Sequence, residues 1–139
     1  MTIRQLSVFI ENKTGRINEV TRILGVHKIN MTAFSLAENS DFGILRMVVS
    51  DVDLAVSVLK AAHFGVNVTD VICLCCRNVP GSMSTILEYL AKENVFIEYM
   101  YAFSQGETAN VVIRPTDIER CIEILTKYEC ELLSDKNLN

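Results

Sequence analysis

Apolar residues along the chain change period several times, and each change marks an element. From Ile3 to Ile10, Leu6, Val8 and Ile10 alternate with Gln5, Ser7 and Phe9, the period expected of a strand with one buried face. Ile17, Val20, Ile23 and Leu24 fall at helical spacing, which predicts an amphipathic helix from Arg16 to about His27. Asn12 offers it an N-cap and Thr14-Gly15 a tight turn. Met31 to Ala37 and Phe42 to Ser50 read as two strands, and Glu38-Asn39-Ser40-Asp41 between them suits a hairpin. A second helix capped by Asp53 then runs to about Ala62, with Leu54, Ala55, Val58 and Leu59 inward; Asp51 and Asp117 also read as helix caps. A fourth strand begins near Val66.

The order β-α-β-β-α-β then repeats. Gly15 and Gly81 stand 66 positions apart, and the same offset pairs Leu24 with Leu90, Ile29 with Val95, Asp51 with Asp117 and Leu59 with Leu125. The second copy has a strand over Val71 to Cys76, a helix over Ser82 to Glu93, and strands over Phe96 to Phe103 and Thr108 to Arg114. A helix over Asp117 to Tyr128 and a strand over Glu131 to Ser134 complete it. The fold class is therefore α+β, with two ferredoxin-like βαββαβ modules over residues 1–69 and 70–139. Each is a four-stranded antiparallel sheet with two helices on one face. Val66 to Cys76 is nearly continuous β-prone sequence without a Gly, Ser or Pro tether, so one strand is expected to feed into the next. Asp135 to Asn139 reads as a solvated tail.

Composition narrows the function. The net charge of −4, with thirteen scattered Lys and Arg, argues against nucleic acid as a partner. No apolar stretch reaches the roughly 20 residues of a membrane span, and Met1-Thr2-Ile3-Arg4-Gln5 does not open a signal peptide. The expected compartment is the cytoplasm, with no membrane partner. An odd set of five cysteines does not resemble a secreted disulfide framework. Cys73-Leu74-Cys75-Cys76 contains a Cys-x-x-Cys, but on a strand residues 73 and 76 point to opposite faces and cannot share a metal ion. Core packing accounts for these thiols and for Cys121, which lies on a helix stripe. His27 and His63 lie near helix ends, without a motif partner for a triad or a metal. No cofactor, metal or enzymatic activity is expected.

The loop after each first strand carries the remaining information. It lacks the cysteine pair of a metal chaperone. Arg16 is a poor match to an acylphosphatase-like phosphate loop, since Ser82 replaces it in the second copy. Tyr99, Tyr101 and Phe103 form a partial aromatic strand, but without the basic charge an RNA-binding sheet needs. Asn78-Val79-Pro80-Gly81-Ser82-Met83 and Asn12-Lys13-Thr14-Gly15-Arg16-Ile17, each leading into a helix and then to Ile29-Asn30-Met31 or its counterpart, resemble the loops of ACT domains. That family carries an Asp/Asn-x-Pro-Gly turn, a helix, and Gly-Ile/Val-Asn-Ile at the start of the second strand. The resemblance spans about residues 3 to 134. Thr14 departs from it in place of proline, Lys28 in place of glycine, and Phe96 where asparagine is usual.

The resemblance implies modules pairing side by side and a free amino acid bound at their junction. One composite site would join Asn78, Val79, Pro80, Gly81, Ser82 and Met83 with Asn30 and Met31. The other would join Asn12, Lys13, Thr14, Gly15, Arg16 and Ile17 with Phe96 and Ile97. Only the first combines a Pro-Gly turn with an asparagine, so it is expected to bind better. The physics agrees: a glycine turn entering a helix presents free amides at the positive end of the dipole, where a carboxylate docks. Helix capping and turn geometry explain the same Asn and Gly residues without any ligand. The expected protein is a homodimeric, amino-acid-binding regulator of a separate metabolic enzyme. The rivals are a ligand-free interaction scaffold and a small enzyme dependent on Arg16.

Overall fold

The computed structural model describes residues 1–38 and 41–138. Two compact units divide the chain, one comprising Arg4–Thr69 and the other Asp70–Asn139 with Met1–Ile3. The elements of the first module are β1 (Ile3–Glu11), α1 (Arg16–Val26), β2 (Met31–Glu38), β3 (Phe42–Val49) and α2 (Val52–Ala61). A long strand, β4 (Gly65–Arg77), runs on into the second module without a break, as the continuous β-prone sequence suggests. There follow α3 (Ser82–Lys92), β5 (Ile97–Gln105), β6 (Thr108–Pro115), α4 (Ile118–Lys127), β7 (Glu131–Leu133) and α5 (Asp135–Leu138). The Glu38–Asp41 hairpin falls partly on Asn39 and Ser40, outside the described residues, as does Asn139.

Strand order in the first module is β2-β3-β1-β4, and the second has β5-β6-β4 with β7 on the other side of β4. The β1–β3, β2–β3, β4–β6, β5–β6 and β4–β7 pairs are antiparallel. Each sheet packs its helices over its own core. Leu6, Val8 and Ile10 meet Val20, Leu24, Ala55 and Leu59 in the first. Ile72, Leu74, Ile86, Leu90, Cys121 and Leu125 do the same in the second.

All four βαββαβ helices end in one device. Lys28, His63, Asn94 and Glu129 adopt left-handed backbone with φ of 57°, 68°, 56° and 60°. The next amide reaches back to a leucine carbonyl: Ile29 to Leu24, Phe64 to Leu59, Val95 to Leu90 and Cys130 to Leu125, at 2.9–3.0 Å. This is a Schellman closure, and the residue beyond each left-handed position is an apolar or thiol side chain turned to the core. It sets how each helix drops back to the sheet. The left-handed backbone at Lys28 is one that favours glycine, the residue the resembled family carries there.

Several local expectations are corrected. Gly15 and Gly81, not Asn12 and Asn78, occupy the N-caps of α1 and α3, with φ of 90° and 88°. Asp51 rather than Asp53 caps α2, its carboxylate accepting from the Leu54 amide at 3.0 Å. Asp53 pairs instead with Arg4, also at 3.0 Å. Leu54 is 38% exposed, because capping by Asp51 puts Val52, Ala55 and Leu59 on the inward stripe. Gln5 and Ser7 are buried, with the Gln5 amide donating to the Ser7 hydroxyl at 3.3 Å. The tail is not solvated throughout. Asn137 accepts from the Ser134 amide and hydroxyl, and Leu138 is buried.

Two predictions follow from these ends. Lys28→Gly or Glu129→Gly relieves left-handed strain and should raise stability by about 0.5–1 kcal/mol in urea unfolding, net of glycine's freer unfolded state. Asp51→Ala should cost about 1 kcal/mol, whereas Asp53→Ala removes an exposed ion pair worth about 0.5 kcal/mol or less.

Candidate functional site

Each module turns from its first strand into its first helix within a few residues, and glycine makes the turn possible. A β-carbon built on Gly15 or Gly81 meets nothing within 4 Å, so the demand there is the positive φ alone. The Arg16 amide donates back to the Lys13 carbonyl and the Ser82 amide to that of Val79, both at 3.3 Å. Glycine has no side chain to cap with. Neither N-cap glycine gives α1 or α3 a side-chain cap; the Arg16 and Ser82 amides are held by loop carbonyls, and the amides that follow lie at the electropositive end of each helix. The second helix of each module differs: Asp51 and Asp117 cap α2 and α4. One chain thus closes two helix starts with carboxylates and begins the other two with glycine.

A cavity of about 350 Å³ lies beside the first loop, lined by Asn12, Lys13, Thr14 and Ile17 together with Ile10, Glu11, Leu36, Glu38 and Gly43. Neither Gly15 nor Arg16 lines it. Lys13 pairs with Glu11 at 3.0 Å, and this hydrogen bond and charge, helped by the Arg16 charge, hold the Glu11 carboxyl below its usual range. Arg16 lays its guanidinium 4.4 Å from the centre of the Phe64 ring and pairs with Glu19 at 2.7 Å. It ties α1 to the residue that leads into β4. The second cavity, of about 370 Å³, is lined by Arg77, Asn78, Val79, Gly106 and Glu107. There the Asn78 amide donates to the Glu107 carbonyl at 2.9 Å. Pro80, Gly81, Ser82 and Met83 do not line it, and Met83 packs against the core.

The starts of the second strands lie elsewhere. Met31 pairs with Val49 at one end of the first sheet, while Glu11 pairs with Phe42 at the other, beside the Gly15 loop. Ile97 pairs with Pro115, and Arg77 with Thr108, in the same opposed way. No single module therefore brings a glycine loop and a second-strand start together. Asn30 donates its amide to the Ser50 hydroxyl at 2.8 Å, and its carbonyl accepts from the Ser50 amide. The Phe96 carbonyl likewise accepts from the Thr116 amide and hydroxyl, leaving the Phe96 side chain 70% exposed. The register shifts between Met31 and Ala33 and again between Ile97 and Tyr99, so both strand starts carry a bulge. These paired irregularities depend on cross-strand register and had no signal in the sequence.

All five cysteines are free thiols. Burial pushes Cys73 up to about 12 and Cys121 up to about 11. Among the described residues no group of His, Cys, Asp and Glu is arranged to hold a metal ion, and no helix is long and apolar enough to cross a membrane.

Residues 1–139 match the family described as an ACT domain pair. Protein BT0572 from Bacteroides thetaiotaomicron is 51% identical over 99% of this chain and 96% of that one, with a TM-score of 0.94. The ligand-free regulatory subunit of aspartate kinase from Thermus thermophilus shares the fold at 13% identity, covering 89% of this chain and 90% of that one, with a TM-score of 0.63. The regulatory subunit from Thermus flavus does so at 16% identity, with the same coverage and TM-score. No curated protein matches the chain.

Because the space around both glycines is empty, Gly15→Ala and Gly81→Ala isolate backbone strain. Each should lower stability by about 1–2 kcal/mol in urea unfolding without disturbing the core.

Proposed function

The chain belongs to the ACT domain pair family, and from that membership we propose that it is a non-catalytic regulatory protein that binds a free amino acid. The observation carrying this reading is the contrast in helix starts. Asp51 and Asp117 cap α2 and α4, while Gly15 and Gly81 leave α1 and α3 for an outside anion. A ligand carboxylate suits those amides, and side-chain amides such as Asn30 or backbone carbonyls suit its ammonium. The loop and the second-strand start occupy opposite ends of a module, so a ligand touching both bridges two modules. The proposed composite sites join Asn78 to Met83 with Asn30 and Met31, and Asn12 to Ile17 with Phe96 and Ile97. The first is assigned the tighter binding because it combines the Pro80-Gly81 turn with an asparagine.

Such a bridge shifts an equilibrium by its differential affinity for two arrangements, and a coupling of about 1–3 kcal/mol needs only a few hydrogen bonds. The protein acts in the cytoplasm as a homodimer and passes its state to a metabolic enzyme in another chain. Two of its fold neighbours are regulatory subunits of aspartate kinase, which accords with regulation in trans. One observation favours a second reading. Phe34 and Leu36 on β2, an outermost strand of its sheet, are 62% and 50% exposed, as suits a scaffold that assembles without ligand.

A thermal-shift screen against the twenty amino acids separates the two. A sensor shows a saturable rise in Tm with one or a few of them, by about 2.7 kcal/mol of added stability at a hundredfold excess over Kd. The rise, read against each variant's own baseline, is lost in Gly81→Val and kept in Gly15→Val. Loss in Gly15→Val alone reverses the assignment of the tighter site, and no rise with any amino acid favours the scaffold.

A further inference from the structure

The second module places thiols where the first buries hydrocarbon. Cys76, Cys121 and Cys130 stand at the repeat positions of Ile10, Ala55 and Phe64, and both sets belong to the cores of their modules. Two of the three are brought together by strand pairing. β4 and β7 run antiparallel with Cys73 opposite Leu133, Leu74 opposite Leu132 and Cys75 opposite Glu131. Continuing that register by one residue sets Cys76 opposite Cys130. Both side chains pack against the second core, so they share a face, and both are only half-buried. Directly opposed residues hold their β-carbons about 4.5–5.5 Å apart, within a small adjustment of the roughly 3.5–4.5 Å of a disulfide. Cys121 faces the same core but is fully sealed, and Cys73 lies on the other face.

We propose that Cys76 and Cys130 are a modification site, a dithiol that small-molecule disulfides convert reversibly to a cross-strand disulfide. One thiol loses its proton and attacks a sulfur of the oxidant, forming a mixed disulfide and expelling a thiolate that takes up a proton. The other thiol, deprotonated in turn, attacks the protein sulfur of that mixed disulfide and expels the second small thiol. Two protein thiols and one small disulfide become one protein disulfide and two small thiols. Burial holds both cysteines above their ordinary thiol range, so the exchange is slow at neutral pH. Cys76 is followed at once by Arg77, Asn78 and Val79 of the second cavity. The bond therefore anchors the strand end from which that loop departs.

The test uses the reduced full-length chain, treated with oxidised glutathione, alkylated and mapped by tandem mass spectrometry, and needs no ligand. The expected product has lost two hydrogens, joins Cys76 to Cys130, and reverts with dithiothreitol. Cys76→Ser and Cys130→Ser should each stop at a glutathione adduct, while Cys75→Ser still closes the bond. A crosslink between any other pair, wild-type adducts that never resolve, or five thiols still open to alkylation after prolonged oxidation would each overturn the proposal.

Discussion

In both modules the first strand turns into the first helix through a glycine in left-handed backbone, with φ of 90° at Gly15 and 88° at Gly81, whereas the turns into α2 and α4 pass through Asp51 and Asp117 in extended backbone. Much follows from this constraint. Glycine has no side chain to cap with, so each helix it starts has no cap from its own N-cap residue beyond the loop carbonyls that hold the Arg16 and Ser82 amides, and the dipole leaves that end electropositive. Because an aspartate caps the other helix of each module, the chain shows that it can close a helix start where closure serves stability. In the proposed reading, the glycine starts of α1 and α3 are the place where an anion is accepted.

The same backbone devices recur at the repeat offset while the side chains diverge. All four helix ends share the left-handed closure, and both second strands begin with a bulge. The chemistry laid over this frame is unequal. Lys13 and Thr14 flank the first glycine, Val79 and Pro80 the second. Arg16 stacks on Phe64 in the first module, where the second has Ser82 and Cys130. Two loops with one geometry and different side chains suit two sites of different affinity.

Element type and order were legible because each strand and helix carries its own period, and the repeat supplied a second copy of every expectation. Single-residue roles were less so. Asp51 and Asp53 are both plausible caps, and only the helix start distinguishes them. Asn12 and Asn78 look like caps, yet the left-handed turn moves the helix start three residues on, to glycine. Alternation sent Gln5 and Ser7 to the water side, since one buried face is the usual arrangement for an antiparallel strand, yet both are buried. The register that brings Cys76 toward Cys130 belongs to distant strands, and no local pattern carries it. The glycine loops were legible as candidates, whereas the Glu107 tether of Asn78 and the Phe64 seat of Arg16 are long-range contacts.

Amide-resolved NMR of the nitrogen-labelled protein, titrated with apolar and polar amino acids in turn, tests the central claim most directly. The account predicts saturable shifts centred on the first-turn amides of α1 or α3, at Ile17 and Asn18 or Met83 and Ser84, with the capped starts at Leu54 and Arg120 still. Shifts centred on those capped starts, or none with any amino acid, would contradict it.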